Sequence, residues 1–164
     1  RRHDTGNPAM PYPVLHCRDD VLRMLDELTE GRRQMLAACD ALTPAQLRDP
    51  VVPGSWSVLK NLTHLAWAEA FMLAWIKKRP GVLPKEEFPP EPAEDLAAIR
   101  TAFDEAHAEA IAFLKANPEA VLTEACRYGF DARPETVGGI FFHLVEHEIG
   151  HRMMVRFKLR RLAP

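Results

Sequence analysis

The sequence has few cysteines and no long apolar stretch. Its 164 residues include only Cys17, Cys39 and Cys126, an odd set without a CxxC pair. Secreted domains that depend on disulfides usually carry an even, denser set, so these thiols fit a reducing compartment. No run approaches the roughly 18 apolar residues of a membrane span, and the N-terminal region lacks the apolar core of a signal peptide. We therefore expect a cytoplasmic protein that does not cross a membrane.

An excess of positive charge is also missing. The chain has 21 lysines and arginines against 23 aspartates and glutamates, for a formal net charge of −2. General binding to nucleic acid depends on a basic surface that neutralises phosphates. The cations that gather between Arg152 and Arg161 are typical of the last turns of a helix, where they interact favourably with the macrodipole. The composition therefore argues against nucleic acid as a partner.

Strand-like alternation is absent, whereas a helical period recurs in long segments. Apolar residues recur every three to four positions in four of them, at about 14–40, 57–78, 93–116 and 134–157. The second segment is apolar on most sides, which is typical of a helix buried inside a bundle. We predict an all-α four-helix bundle without strands.

The connections between these helices have their own signals. Thr43-Pro44 predicts an N-cap followed by proline at the first position of a short helical turn. Pro134 is predicted to begin the fourth long helix. The proline-rich segment 82–92 has the length of a long crossover rather than of a tight turn. We predict one domain over 14–164, preceded by an irregular lead-in over 1–13.

Three histidines spaced by four residues dominate the C-terminal segment. His143, His147 and His151 lie on one face of the predicted helix. Neighbours in this run are about 6 Å apart along the axis, and the outer two are about 12 Å apart. At most two of them can therefore bind one ion. The spacing alone does not decide between the first pair and the second, although His147 belongs to both.

A third ligand must come from another helix, and His64 is the candidate. It lies between Leu62 and Leu65 in the most apolar helix, whereas His3, His16 and His107 are expected near solvent. A lone histidine in such a place is usually a hydrogen-bonded core residue. Metal sites in bundles, however, are built from inward side chains on facing helices. Three imidazoles would leave open positions, as in catalytic sites.

Nearby carboxylates allow several interpretations. Glu69 lies in the same apolar helix as His64, where it would either orient a ligand imidazole or pair with an arginine. Glu146 and Glu148 project from other faces than the histidines and are predicted to be solvated. The segment from His147 to His151 matches the His-Glu-x-x-His string of zinc proteases. We do not favour that function, because no sheet is predicted and only 13 residues follow His151.

Two segments carry a family resemblance. The first is Gly-Ser-Trp-Ser-Val-Leu-Lys-Asn-Leu-Thr-His-Leu-Ala at 54–66, followed by Glu69. The second is the run from His143 through His147 and His151 to Arg152. Together they resemble the second-helix and last-helix signatures of the DinB-like, YfiT-type four-helix bundles. The order of helices and the long crossover agree, so the resemblance covers most of residues 14–160.

The resemblance implies a divalent transition metal, often zinc or nickel, held by His64, His147 and His151. His143 then matches a frequent extra histidine that does not bind the ion, and like Glu69 it is a candidate for supporting the ligands. Homodimers are common in the family, and some members use low-molecular-weight bacterial thiols. The chain departs from the family after Arg152, where Met153-Met154 replace a frequent Gly-Gln. The packing against a substrate or a second subunit therefore differs there.

The leading hypothesis is a metal-dependent enzyme acting on a small-molecule substrate, either a thiol S-transferase or a hydrolase. A bound ion lowers the pKa of a coordinated thiol or water and so supplies a nucleophile near neutral pH. The alternative is a non-catalytic metal-binding or stress-linked dimerisation module.

Overall fold

The long helices expected from the sequence are present in the computed structural model, which describes residues 13–78, 93, 95–128 and 133–162. The helices are α1 (Arg18–Cys39), α2 (Pro44–Arg48), α3 (Val58–Lys78), α4 (Leu96–Ala116) and α5 (Val137–Leu162). A 3-10 turn at Glu119–Thr123 is followed by the strands β1 (Ala125–Tyr128) and β2 (Arg133–Thr136). The prediction of an all-α four-helix bundle is confirmed for α1, α3, α4 and α5.

The apolar helix α3 is buried on most of its faces. It packs against α4 and α5, while α1 packs against α5 and α4. The inner faces form two separate apolar clusters along the bundle. On α1, for example, Leu28 belongs to one cluster and Met35 to the other; on α5, Leu144 and Val155 are divided in the same way. Between these positions the buried residues are polar, Arg32 on α1 and Glu148 on α5, and the candidate site lies at the same level.

Local capping explains where several helices begin. The Thr43 hydroxyl accepts a hydrogen bond from the Gln46 amide, and the Gln46 side chain accepts one from the Thr43 amide, so the predicted N-cap is a full capping box. At the start of α3, the Lys60 amide donates to the Ser57 hydroxyl. Helix α4 begins three residues later than predicted, at Leu96, because Asp95 accepts from the Ala98 amide.

The strands were not predicted. β1 and β2 pair antiparallel, with Cys126 opposite Glu135, and Pro134 lies in β2 rather than at the start of α5. Strands of four residues are too short to show a convincing alternation, and a proline is tolerated at a sheet edge. Helix α5 begins at Val137, where the Thr136 hydroxyl accepts from the Gly139 amide. Residues 1–12 of the predicted lead-in and the predicted crossover at 82–92 lie outside the described residues.

The C-terminal half of α5 is less buried than its pattern predicted. Four of its large apolar side chains remain 44–60% exposed, namely Ile149, Met153, Met154 and Phe157. The buried face of this half instead carries Glu148, Val155 and Lys158. Among the described helices none is both long enough and apolar enough to span a membrane.

Two glycines of α5 are expected to respond oppositely to alanine. A Cβ at Gly138 would lie 2.8 Å from the Leu15 carbonyl oxygen and 3.1 Å from that of Leu122. Because these are backbone atoms, Gly138→Ala should lower the free energy of unfolding by about 1–3 kcal/mol. A Cβ at Gly150 meets no atom within 4 Å. Gly150→Ala should therefore raise that free energy by about 0.5–1 kcal/mol.

Urea unfolding of both variants checks this pair. The two substitutions are chemically identical and lie in one helix, so helix propensity alone would move both in the same direction. A Gly138→Ala variant as stable as Gly150→Ala would show that the close approach to Leu15 and Leu122 does not constrain α5.

Candidate metal site

Three histidines from two helices converge in the structure. His64 comes from α3, and His147 and His151 come from α5. One ligand atom from each lies within 4.8 Å of the others, and the Nε2 atoms of His64 and His147 are 3.0 Å apart. The spacing of four in α5 places its two rings one turn apart on the face toward α3.

This geometry fits a shared metal ion. Imidazole nitrogens that bind one ion at about 2.0–2.1 Å, with angles of about 90–110°, lie roughly 2.8–3.4 Å apart. The separation between His64 and His147 falls within that range. The two Nε2 atoms face each other and are the atoms that would bind the ion. A group of three such donors leaves positions for a water or a substrate, as in catalytic zinc sites.

Asn61 fixes the orientation of the third imidazole. Its side-chain amide nitrogen donates to the Ser57 carbonyl, so its Oδ1 atom faces His151. The His151 Nδ1 lies 3.2 Å from that oxygen and donates to it. This tautomer leaves the Nε2 atom of His151 free to accept a metal. Sequence reasoning missed Asn61, although its position three residues before His64 on a buried helix face was an available signal.

Aromatic rings enclose the histidines. Trp56, from the loop before α3, contacts His64 edge-on at a centroid distance of 5.0 Å and stacks on His151 at 6.0 Å. Trp67 stacks on His64 from the next turn of α3, at 6.5 Å. These rings reduce the access of water to the imidazoles and limit their rotation.

The environment keeps the imidazoles neutral. Burial, followed by the neighbouring His151 and His147, lowers the pKa of His64 to about 3. Burial, His151 and His143 together lower the pKa of His147 to about 4. Burial also lowers the pKa of His151. Metals bind the neutral form of imidazole. The three histidines are therefore ready to bind an ion at neutral pH, and no proton has to be displaced.

Acidification is therefore expected to destabilise the metal-free protein below about pH 6.5. Between that pH and about 4, the unfolded chain protonates its histidines at their ordinary pKa, whereas folded His64 and His147 stay neutral. The unfolded state then binds more protons, so the free energy of unfolding falls as the pH falls. Urea unfolding at pH 7.5, 6.5 and 5.5 should show this loss, and it should be smaller in His64→Leu. An equal pH dependence of the free energy of unfolding in the wild type and in His64→Leu would contradict the lowered pKa of His64.

His143 lies beside the site but does not converge with the other three. Its ring is 5.9 Å from that of His147, and its Nδ1 atom is 3.7 Å from a carboxylate oxygen of Glu146. Of the two pairs that the spacing allowed, the structure thus brings His147 and His151 to His64.

The side chain of His16 is exposed and that of His107 is half-buried on α4, while His3 lies outside the described residues.

A buried ion cluster lies next to the histidines, formed by Arg32 of α1, Glu69 of α3 and Glu148 of α5. The Arg32 Nη1 is 2.6 Å from Glu69 Oε2, and its Nε donates to Glu148 Oε2 at 2.8 Å. All three side chains are almost fully buried. Of the two roles considered for Glu69, the structure has the arginine pair. The prediction that Glu148 is solvated is wrong, because α5 turns this face toward α1.

Electrostatics within the ion cluster follow from its charges. Burial alone would lower the pKa of Arg32, but the carboxylates of Glu148 and Glu69 outweigh it and raise that pKa. Burial raises the pKa of Glu69, which Arg32 only partly offsets. The Arg152 Nε lies 3.9 Å from Glu148 Oε1, so a second guanidinium approaches the surplus negative charge. Because Glu148 is engaged here, it is not available as the general base that a His-Glu-x-x-His protease needs.

The comparisons with known proteins agree with this fold. The family model of the DinB superfamily matches residues 27–155. YfiT from Bacillus subtilis, described as a probable metal-dependent hydrolase with an unusual four-helix bundle topology, is 17% identical, with a TM-score of 0.72 over 94% of this chain and 95% of that one. A DinB-like protein from Bacillus cereus is 20% identical, with a TM-score of 0.68 over 87% and 91%.

A third structure, a conserved protein from Enterococcus faecalis, is 15% identical and has a TM-score of 0.65 over 90% of this chain and 98% of that one. At such identities these likenesses concern the fold alone. The comparison with curated proteins gave no match. The family model, in contrast, spans both the helix that carries His64 and the helix that carries His147 and His151. The resemblance noted in the sequence is thus confirmed, and the chain belongs to the DinB superfamily.

Proposed function

We propose that this protein is a divalent-metal-dependent enzyme whose ion is bound by His64, His147 and His151. The observation that carries the proposal is the convergence of three neutral imidazoles, one buried and two half-buried, whose ligand atoms lie within 4.8 Å of one another. The likeness to YfiT, a probable metal-dependent hydrolase, supports the same conclusion.

Each residue around the proposed ion has a separate role. His64, His147 and His151 would hold it, and it would activate a bound thiol or water as a nucleophile. Asn61 holds His151 in the ligating tautomer. Trp56 and Trp67 restrict access of water from two sides. Neutral ligands leave the full charge of the ion to act on the nucleophile, whereas thiolate or carboxylate ligands would reduce it.

The reaction class we favour is transfer to or from a low-molecular-weight bacterial thiol, with zinc or nickel as the ion. Metal-assisted hydrolysis is the second candidate, and the description of YfiT favours it. In both reactions the ion would supply the activated nucleophile, so the protein would need no nucleophilic side chain of its own. We also propose that the protein is cytoplasmic and forms a homodimer. Sedimentation equilibrium would measure the mass of that dimer.

Metal titration of chelator-treated protein tests the proposal first. We expect one equivalent of zinc or nickel to bind per chain, measured by elemental analysis after gel filtration. The loaded protein is then assayed with thiols plus electrophilic acceptors, and separately with activated esters. Binding below about a tenth of an equivalent for every transition metal would overturn the metal-dependent function. Metal binding without turnover in either assay would favour the non-catalytic metal-binding or stress-linked dimerisation module instead.

A further inference from the structure

An apolar pocket opens directly beside His151. It has a volume of about 620 Å³, and its walls come from the loop before α3 and from the exposed face of α5. Its apolar walls are formed by Val52, Trp56, Met153, Met154 and Phe157. His151 and Asn61 form its polar end. The volume lies within the range of small-molecule sites, which are mostly apolar with a few placed polar groups.

The wall that carries Trp56 is anchored to α5. The Lys158 ammonium, itself almost fully buried, donates to the Pro50 carbonyl at 2.9 Å and to the Ser55 hydroxyl at 2.8 Å. The Ser55 hydroxyl in turn donates to the Pro50 carbonyl at 2.6 Å. A buried lysine used in this way fixes the loop in place. The pocket is therefore preformed, and the Lys158 ammonium, which also lines it, is directed at the protein rather than at a ligand.

Backbone strain occurs in the same loop. Val51 has a φ of +64°, a conformation that a β-branched residue rarely adopts. The Asp49 carboxylate accepts a hydrogen bond from the Val51 amide at 2.7 Å and stabilises the turn. Strain of this kind persists only where the surroundings hold it, and it concentrates around binding sites. Here it places Val52 and Trp56 on the wall of the pocket.

We infer that this pocket binds the apolar part of a substrate whose reactive, metal-binding group lies at His151. The inference rests on the proposed function, because it takes the histidine group as the reacting end. The substrate class is thus an amphiphilic small molecule, with a polar head and an alkyl or aryl tail of several carbons. A small molecule is favoured over a second protein chain because His151 and Asn61 line the pocket together with its apolar residues, so one site offers contacts to both a metal-binding head and an apolar tail.

A series of straight-chain hydroxamic acids, from acetyl to octanoyl, tests this inference. The hydroxamate group chelates the ion, and only the tail changes. On protein loaded with zinc or nickel, calorimetry should show the Kd falling roughly fourfold per added methylene, until the tail exceeds the pocket. Phe157→Gln should reduce this dependence on chain length and leave the Kd of the acetyl compound unchanged. Ile149→Gln is the matched control, because Ile149 is similarly exposed on α5 but does not line this pocket.

A second measurement needs no metal. 1-Octanol should quench or shift the tryptophan fluorescence of the metal-free protein through Trp56, and Trp56→Phe should abolish the change. A Kd independent of chain length, with no response to 1-octanol, would overturn the inference and leave the metal site intact. Failure to bind metal or the acetyl compound would overturn the proposed function, while the 1-octanol response would still decide whether the pocket binds apolar groups.

One result would assign the surface to a second copy of the chain. If Phe157→Gln converts a dimer to a monomer and the hydroxamate series on the wild type shows no dependence on chain length, the apolar residues form a subunit interface. That combination would overturn the substrate pocket.

Discussion

Replacing Arg32 with methionine should lower the free energy of unfolding by about 3–5 kcal/mol. The substitution leaves the carboxylates of Glu69 and Glu148 buried without their shared cation. Removing one partner of a buried ion pair costs this much because the remaining charge stays buried away from water. Arg152, 3.9 Å from Glu148 and half-buried, can offset only part of the loss.

The neighbouring arginine provides the control. Arg33 pairs with Glu30 on the surface, where both side chains are largely exposed. Arg33→Met should therefore change the free energy of unfolding by less than about 1 kcal/mol. Urea unfolding followed by tryptophan fluorescence measures both variants.

A triple variant, Arg32→Met with Glu69→Leu and Glu148→Leu, separates charge from packing. Replacing a whole buried ion cluster with apolar side chains is often neutral or stabilising. We expect this variant to regain most of the stability lost by Arg32→Met alone. If the triple variant were no more stable than the single one, the loss would come from packing around Arg32, including its stacking on Phe103 at 4.5 Å, rather than from unpaired carboxylates.

The second large effect concerns metal affinity. His64→Ala should weaken the binding of zinc or nickel by more than about 100-fold, because even the loss of a partner behind a ligand costs about 10–100-fold. The variant leaves two imidazoles in this group, both from α5. It removes the ligand from α3, so an ion bound there would no longer connect α3 to α5. Competition with a chromophoric chelator measures the affinity.

Two other histidine variants make this test specific. His107→Ala removes a half-buried imidazole that contacts Thr29 on α1 rather than the site, so its metal affinity should match the wild type. His143→Ala should reduce the affinity much less than His151→Ala. An affinity unchanged by His64→Ala would remove α3 from the site, and equal losses for His143→Ala and His151→Ala would reopen the choice of ligand pair.

Sequence reasoning reached the long helices and the three converging histidines because both depend on local spacing. Apolar residues repeating every three to four positions place α1, α3, α4 and α5. A histidine within the apolar helix α3 has to be buried, and histidines four apart in α5 have to share a face. The assignment of His64, His147 and His151 drew on the family resemblance as well, since spacing alone left two pairs open.

The ion cluster could not be derived in the same way. Arg32 lies among Glu30, Arg33 and Gln34, in a stretch that has the composition of a solvated helix face. Its partner Glu148 is 116 residues away, and no local pattern connects them. Glu69 did signal a buried partner, because it interrupts an apolar helix, but it did not indicate which arginine.

The polar layer between the two apolar clusters has a consequence for how the helices align. Sliding α5 past α3 by one turn, about 5.4 Å, would move Glu148 to the level of Leu144, inside an apolar cluster. Such a packing would bury an unpaired carboxylate among hydrocarbon and separate His147 from His64, at a cost of several kcal/mol. Two uniform apolar faces would tolerate that slip. Because the charged and ligating side chains lie at a single level, they disfavour other alignments of the helices. One alignment remains, in which the polar residues of α1, α3 and α5 lie opposite one another.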